Sequence, residues 1–307
     1  MSNNIFLSKE LEKKANRIYE CQRNTVQSEY NNVKRIIAIG DIHGDLDVLK
    51  KCLIKAKLID RNNCNWIGGD TFVVQVGDIL DGGGRGYKNN VNPMGEFKIF
   101  DLLNKLDRQA VLKGGRVFYL IGNHEIMNFM GNFNYVHENQ LINSVLRKRL
   151  FRRGGYMARL LACHAYAVLK INNWYFCHAG LTFDHLQNGF NIDKLNILTK
   201  QVLRGEKNPE QITEYEKSLL FSSNGLFWNR KYSDNKRCSI LKKTLEVLGS
   251  KNGGMIVGHT IMNRNITSFC DDRLIFTDIG MSSAFGGNNC EILEIIKNGK
   301  PRVITKI

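Results

Sequence analysis

Five short runs of apolar residues punctuate the chain, and each stops abruptly at a polar one. Residues 35–39 (RIIAI) lead into GDIHGD, 72–76 (FVVQV) into GDILDG, 117–121 (VFYLI) into GNHE, 174–177 (WYFC) into HAGL and 254–257 (GMIV) into GHT. The runs are β-branched or aromatic and do not alternate with polar positions, the pattern of strands buried on both faces. Between them, residues 47–59 and 96–111 read as helices. Strands alternating with helices predict an α/β fold. In open α/β sheets ligands bind beyond the carboxyl ends of strands. Five strands ending in Asp, His or Asn therefore predict a polar site along one edge.

Residues 183–227 break the rhythm, since DKLNILTKQVLRG and PEQITEYEKSLLF read as two helices inserted over one side of that edge. LIFTDIG (274–280) and residues 290–307 read as closing strands of a second sheet. Near the start, Leu7, Leu11, Ala15 and Ile18 fall at helical spacing, which predicts an amphipathic helix within 7–30 packed on the body. The expected organisation is thus an N-terminal segment, 1–32, and one domain, 33–307, with 183–227 as a helical insertion.

Composition narrows the class. The 307 residues are 43% hydrophobic and 24% charged, a globular balance. No apolar stretch approaches the ~20 residues that span a bilayer, and the first residues lack the apolar core of a signal peptide. The net charge of +15 attracts phosphorylated or polyanionic ligands without naming one. No stretch interleaves basic and aromatic residues as a single-strand platform would, which argues against a nucleic-acid groove. Eight scattered cysteines without a CxxC pair predict reduced thiols and a cytoplasmic setting.

At the strand ends stand Asp41, His43, Asp78, Asn123, His178 and His259. This mixed N/O set lacks the thiolates of a structural zinc site and suits borderline or hard divalent metals. Six donors exceed one tetrahedral ion with an open position. They suit two ions sharing a bridging carboxylate, ~3.5–4 Å apart in two-metal hydrolases. His137, His164 and His185 follow no such run and read as ordinary core or surface groups.

GDIHG (40–44), GDILD (77–81), GNHE (122–125), HAGL (178–181) and GHT (258–260), in that order, resemble the motifs of calcineurin-like metallophosphoesterases, specifically the phosphoprotein phosphatase family. GNHEIMN followed by GNFNYV (131–136), GLFWNR (225–230) and TDIGMSSAFGG (277–287) resemble its bacterial-type, Shewanella-like branch. The resemblance spans about residues 33–295. It implies two mixed β-sheets packed face to face and flanked by helices. By motif, Asp41 and His43 would bind a first metal, Asp78 would bridge, and Asn123, His178 and His259 would hold a second. The ions would be Mn, with Fe or Zn as alternatives, and would activate a hydroxide. His124 and Asp81 would form the acid pair, and two arginines would grip the phosphate, Arg230 among them. The implied substrates are phosphorylated proteins or peptides, on Tyr or on Ser/Thr.

One stretch departs from the pattern. Where the family has Arg directly after the acid-pair aspartate, this chain has Gly82, then Gly83, Gly84 and Arg85. Either the glycines fold the loop back and return Arg85 to the phosphate, or the clamp is lost and the pocket widened. Ala179 stands where the family usually has glycine, a change remote from metal binding. Two rival functions stay open at this point. A phosphodiesterase or nucleotide hydrolase of the same superfamily would prefer a diester; a non-catalytic phosphoprotein-binding protein would turn over nothing.

Overall fold

A computed structural model describes residues 26–87, 92–141, 143–250, 252–287, 289–297 and 299–305. Its strands are β1 (Glu29–Tyr30), β2 (Arg35–Ile39), β3 (Phe72–Gln75), β4 (Arg116–Leu120), β5 (Ala165–Tyr166), β6 (Val168–Ile171), β7 (Trp174–Cys177), β8 (Gly254–Val257), β9 (Thr267–Phe269), β10 (Leu274–Phe276), β11 (Ile292–Ile296) and β12 (Arg302–Ile304). They form two sheets, ordered β1-β6-β7-β8-β10-β9 and β12-β11-β2-β3-β4-β5. Both are mixed: β2, β3 and β4 run parallel, as do β7, β8 and β10, while β11 opposes β2 and β6 opposes β7.

The two-residue period of a strand explains why the sequence runs are uninterrupted. Ile36 and Ala38 of β2 join Val74, Phe118 and Leu120 against Leu169, Phe176, Ile256 and Ile275 of the other sheet. Ile37 and Ile39 point the opposite way, into a layer with Leu49, Leu53, Phe100 and Leu103. Each face of the strand is covered, so every position is apolar. At roughly 1.5–3 kcal/mol for each fully buried large side chain, this double coverage supplies most of the driving force for folding.

The helices are α1 (Leu46–Lys55), α2 (Gly95–Val111), α3 (Asn123–Phe129), α4 (Glu138–Leu141), α5 (Ser144–Phe151), α6 (Tyr156–His164), α7 (Ile192–Arg204), α8 (Glu214–Phe221) and α9 (Arg237–Val247). The inserted helices α7 and α8 fall where the pattern places them. Asn191 caps α7, its side chain accepting from Lys194 N at 2.9 Å, and Thr213 caps α8 in the same way. No helix among the described residues is long and apolar enough to cross a membrane.

Three expectations change. The closing strands divide between the sheets: β10 pairs with β8, whereas β11 and β12 extend the sheet of β2. Short apolar runs do not encode which sheet they join. Glu29–Tyr30, at the end of the expected first helix, is instead a strand parallel to Lys170–Ile171; residues 7–25 of that helix lie outside the described residues. Finally, Cys52–Cys290 and Cys238–Cys270 are disulfides, while Cys64 and Cys177 are free thiols. The first pair is separated by 238 residues, and only the fold brings it together. The cysteine spacing, without a CxxC pair, carried no sign of these pairings.

Candidate metal and phosphate site

The carboxyl ends of β2, β3 and β4 meet those of β7 and β8, and the predicted polar residues converge across this seam. Asp41 and His43 follow β2, Asp78 follows β3, Asn123 opens α3 after β4, and His178 and His259 follow β7 and β8. Asp41, His43, Asp78, Asn123, His124, Arg85, Arg230 and His259 line one cavity of about 600 Å³. His178 is fully buried and does not line the cavity, but its Nε2 lies 3.3 Å from Asp78 Oδ2 and 3.1 Å from Asn123 Oδ1. Two groups of donor atoms, each within 4.8 Å of one another, overlap at Asp78: His43–Asp78–His124 and Asp78–His178–His259.

The backbone is bent to achieve this. His43, Asp78, Asp81 and His259 all have positive φ, from 45° to 73°. Such conformations cost on the order of 1–3 kcal/mol each in a non-glycine residue and cluster at functional sites. Close approach adds a second constraint: a Cβ on Gly122 would lie 2.2 Å from Asp78 Oδ1, so the glycine before Asn123 lets two strand ends pack together.

The ring nitrogens are assigned by their partners. His43 Nδ1 faces the Leu80 carbonyl at 3.0 Å, His178 Nδ1 the Val76 carbonyl at 2.9 Å, and His259 Nε2 the Trp228 carbonyl at 3.0 Å. A carbonyl only accepts, so each of these nitrogens carries the hydrogen; this leaves a lone pair on His43 Nε2 and His259 Nδ1, whereas His178 Nε2 faces two further acceptors, Asn123 Oδ1 and Asp78 Oδ2. His124 differs. Its Nδ1 donates to Asp81 Oδ2 at 2.7 Å and its Nε2 lies 3.2 Å from Arg85 Nη2, which makes it a poorer ligand than its distance to Asp78 suggests.

Charge follows the same division. Burial, reinforced by Asp278 and Asp78, pushes the Asp41 carboxyl well up. Burial likewise lifts Asp278 to about 6, against a hydrogen bond from the Gly280 N–H. Burial pushes His43 well down, and burial with His178 and Arg230 pushes His259 to about 3. Burial opposes the Asp78 anion too, but His178, His124 and His43 outweigh it and hold its carboxyl well below the usual range. His43 and His259, held uncharged beside crowded carboxylates, are the kind of donor a divalent cation requires, whereas Asp78 outweighs burial and raises His178.

The glycine triplet explains the position of Arg85. A Cβ on Gly83 would lie 2.6 Å from the His137 Cα, and Gly84 has φ +72°. The loop therefore packs flush against residues 134–137 and turns back. Arg85 Nη1 donates to the carbonyls of Asp81 (2.7 Å) and Gly83 (2.8 Å), while the guanidinium sits over the rings of Phe285 (4.4 Å) and Tyr135 (5.1 Å). This leaves Nη2 at the cavity. Across it, Arg230 Nη1 donates to Thr260 Oγ1 at 2.9 Å and to the His259 carbonyl at 3.2 Å. Arg85→Ala is expected to lower kcat/KM about 30- to 10³-fold, the scale of losing a charged contact made in the transition state. Arg85→Lys should recover little, because the fork is lost. Gly83→Val should lose activity in the same direction by displacing the loop. Steady-state assays of the three variants check this, and a wild-type Arg85→Ala enzyme would contradict it.

The calcineurin-like phosphoesterase family model matches residues 34–260. The chain belongs to the calcineurin-like phosphoesterases. Within that family it is 33% identical to Shewanella-like protein phosphatase 1 of Plasmodium berghei, over 83% of this chain and 70% of that protein. It is 29% identical to Shewanella-like protein phosphatase 2 of Arabidopsis thaliana, over 92% and 81% respectively. A solved structure with the same fold, a cold-active protein-tyrosine phosphatase of a psychrophilic Shewanella species, superposes with a TM-score of 0.73 at 26% identity, covering 92% of this chain and 83% of that one.

This calcineurin-like phosphoesterase also uses residues that the sequence reading passed over. Asp278 of TDIG follows the end of β10, as the other polar residues follow their strands, and lines the cavity. The Glu125 carboxylate accepts from the backbone N–H groups of Asp78, Ile79, Leu80 and Gly122 at 2.7–3.0 Å, fixing the loop that presents Asp78. It reaches back to the Gly122 N–H as the third residue of a capping box does, but with glycine and not Ser or Thr at the cap the sequence carries only half of that signal. His185 is a satisfied core group, its Nε2 facing the Asn224 carbonyl at 2.8 Å. Ala179 is buried.

Proposed function

We propose that this chain is a metal-dependent phosphomonoesterase acting on phosphorylated protein, with phosphotyrosine as its preferred residue. The observation that carries the reading is the overlap of two donor groups at Asp78, faced by two arginines and the His124–Asp81 pair. In this reading Asp41 and His43 would hold one divalent cation, Asn123, His178 and His259 would hold another, and Asp78 would serve both, with Mn first and Fe or Zn as alternatives. Asp278 adds negative charge to the same cluster. When bound, such a pair supplies Lewis acidity toward phosphoryl oxygen and lowers the pKa of a shared water. Arg85 and Arg230 orient the phosphoryl group between them. His124, held through Nδ1 by Asp81, presents Nε2 to the ester oxygen and delivers the proton the leaving group needs. Burial disfavours its cation, but Asp78 and Asp81 outweigh burial and raise its pKa, keeping it a proton donor nearer neutrality.

The tyrosine preference rests on the lining and on the relatives' names. Met127, Tyr135, Trp228, Ile261 and Phe285 line the cavity around the charged centre, a surface for an aromatic ring that a serine or threonine substrate would leave uncovered. The superposed Shewanella enzyme carries protein-tyrosine phosphatase in its name. A panel of peptides carrying each of the three phosphoresidues, assayed on chelated and Mn²⁺-loaded protein, tests the reading. Turnover confined to the loaded protein and highest on phosphotyrosine is expected. Faster cleavage of bis-nitrophenyl phosphate than of nitrophenyl phosphate would favour the diesterase, and no turnover of any ester would revive the binding protein.

A further inference from the structure

The run LRKRLFRR (146–153) carries five basic residues, of which Lys148, Arg149 and Arg152 are exposed and Arg153 is half-buried. Arg147 is the exception: it is fully buried on α5. Four hydrogen bonds and an ion-pair contact with Asp81 engage its guanidinium. Nη1 donates to Glu96 Oε2 at 2.7 Å and to the Gln140 carbonyl at 3.2 Å, and Nη2 reaches Glu96 Oε1 at 3.2 Å and Asp81 Oδ1 at 3.5 Å. Nε donates to Asn128 Oδ1 at 2.7 Å. Asn128 in turn donates through Nδ2 to the same Asp81 Oδ1 at 2.7 Å. Glu96 closes the circuit, its Oε1 accepting from the Asp81 backbone N–H at 2.8 Å.

From this we infer that Arg147, acting with Glu96 and Asn128, is the positioning residue of the acid pair. The inference rests on the proposed phosphomonoesterase reading. Asp81 Oδ1 is occupied by Asn128 and faced by Arg147, which leaves Oδ2 as the acceptor for His124 Nδ1. The carboxylate plane and the backbone N–H of Asp81 are thus fixed from two sides, and the imidazole is aimed by a carboxylate that cannot rotate. The Arg147 guanidinium also sits against both of the buried carboxyl groups, Glu96 at 2.7 Å and Asp81 at 3.5 Å, so that neither is buried without a cationic neighbour. Lysine would keep the charge but could not reach Asn128 and both Glu96 oxygens at once.

A purely structural ion pair and a positioning device differ in how the loss depends on the leaving group. A misaimed acid matters most where the departing oxygen needs a proton. Arg147→Lys is expected to lower kcat on alkyl phosphates and phosphotyrosine about 10- to 10²-fold, the scale of outer partners of an active group. The loss should fall to a few-fold on dinitrophenyl phosphate, with metal content and KM unchanged. Asn128→Leu, which cuts the relay but leaves the Arg147–Glu96 pair, should show the same leaving-group dependence and serves if Arg147→Lys fails to fold. Folded, metal-replete variants that lose activity equally on every ester, or lose none, would overturn the inference. A wild-type chain inactive on all esters would instead overturn the reading beneath it, and the His124→Asn enzyme separates the two by showing the full leaving-group effect when only the Arg147 assignment is wrong.

Discussion

Asp78→Asn is expected to abolish turnover and to release both cations together. Asp78 is the one residue common to the two donor groups, and it is the only carboxylate of the cluster whose anionic form the surrounding histidines hold well below the usual range. An amide of the same shape removes a full negative charge from between two positive ones. The loss should exceed the ~10- to 100-fold typical of an outer partner, because two sites fail rather than one. Asp41→Asn touches a residue outside the shared position and should weaken metal binding less completely. Metal analysis of the purified variants beside the wild type checks the ranking. Two tightly held ions and a normal rate in Asp78→Asn would remove Asp78 from the centre of the site.

The strand ends were legible because one physical cause produces them. A strand covered on both faces is apolar at nearly every position, apart from a hydrogen-bonded residue such as Gln75, and it turns to charged or ionisable residues where it leaves the sheet. The polar residues at 41, 78, 123, 178 and 259 thus mark a shared edge even before any fold is drawn. Arg85 was only half legible. The triplet announced a sharp bend, but whether the bend returned the guanidinium depended on residues 134–137, against which Gly83 packs. Gly83 answers a close backbone approach, while the positive φ belongs to Gly84.

What stayed hidden shares a different cause. Arg147, Glu96 and Asn128 act through contacts between elements far apart in the chain, and none sits at a strand end. A buried arginine within a basic run has no local signature, since its neighbours Lys148 and Arg149 have the same chemistry and differ only in where α5 points them. The same holds for Cys52 and Cys290, and for the partition of β10, β11 and β12 between sheets. Periodicity encodes which face is buried, not what it is buried against.

His124→Asn is expected to lower kcat by ~10²–10⁴ on phosphotyrosine, the usual range for loss of a general acid. His124 sits 2.7 Å from Asp81 through Nδ1, and its own backbone N–H donates to Asp78 Oδ1 at 2.9 Å. The side chain can therefore be removed while the backbone contact that orients the shared carboxylate stays in place. Metal content should hold, which distinguishes this variant from Asp78→Asn. Dinitrophenyl phosphate, whose leaving group scarcely needs a proton, should recover most of the lost rate. Removing Asp81 as Asn should act in the same direction, since the amide can no longer hold the Nδ1 hydrogen as an anion does. Its effect should be the smaller of the two, because the imidazole survives. Rates for a series of phenyl phosphates of graded acidity give the measurement: a wild-type dependence on leaving group that steepens in His124→Asn supports the acid. Parallel lines for the two enzymes would place His124 outside proton transfer and make it a group that only binds the phosphoryl oxygens.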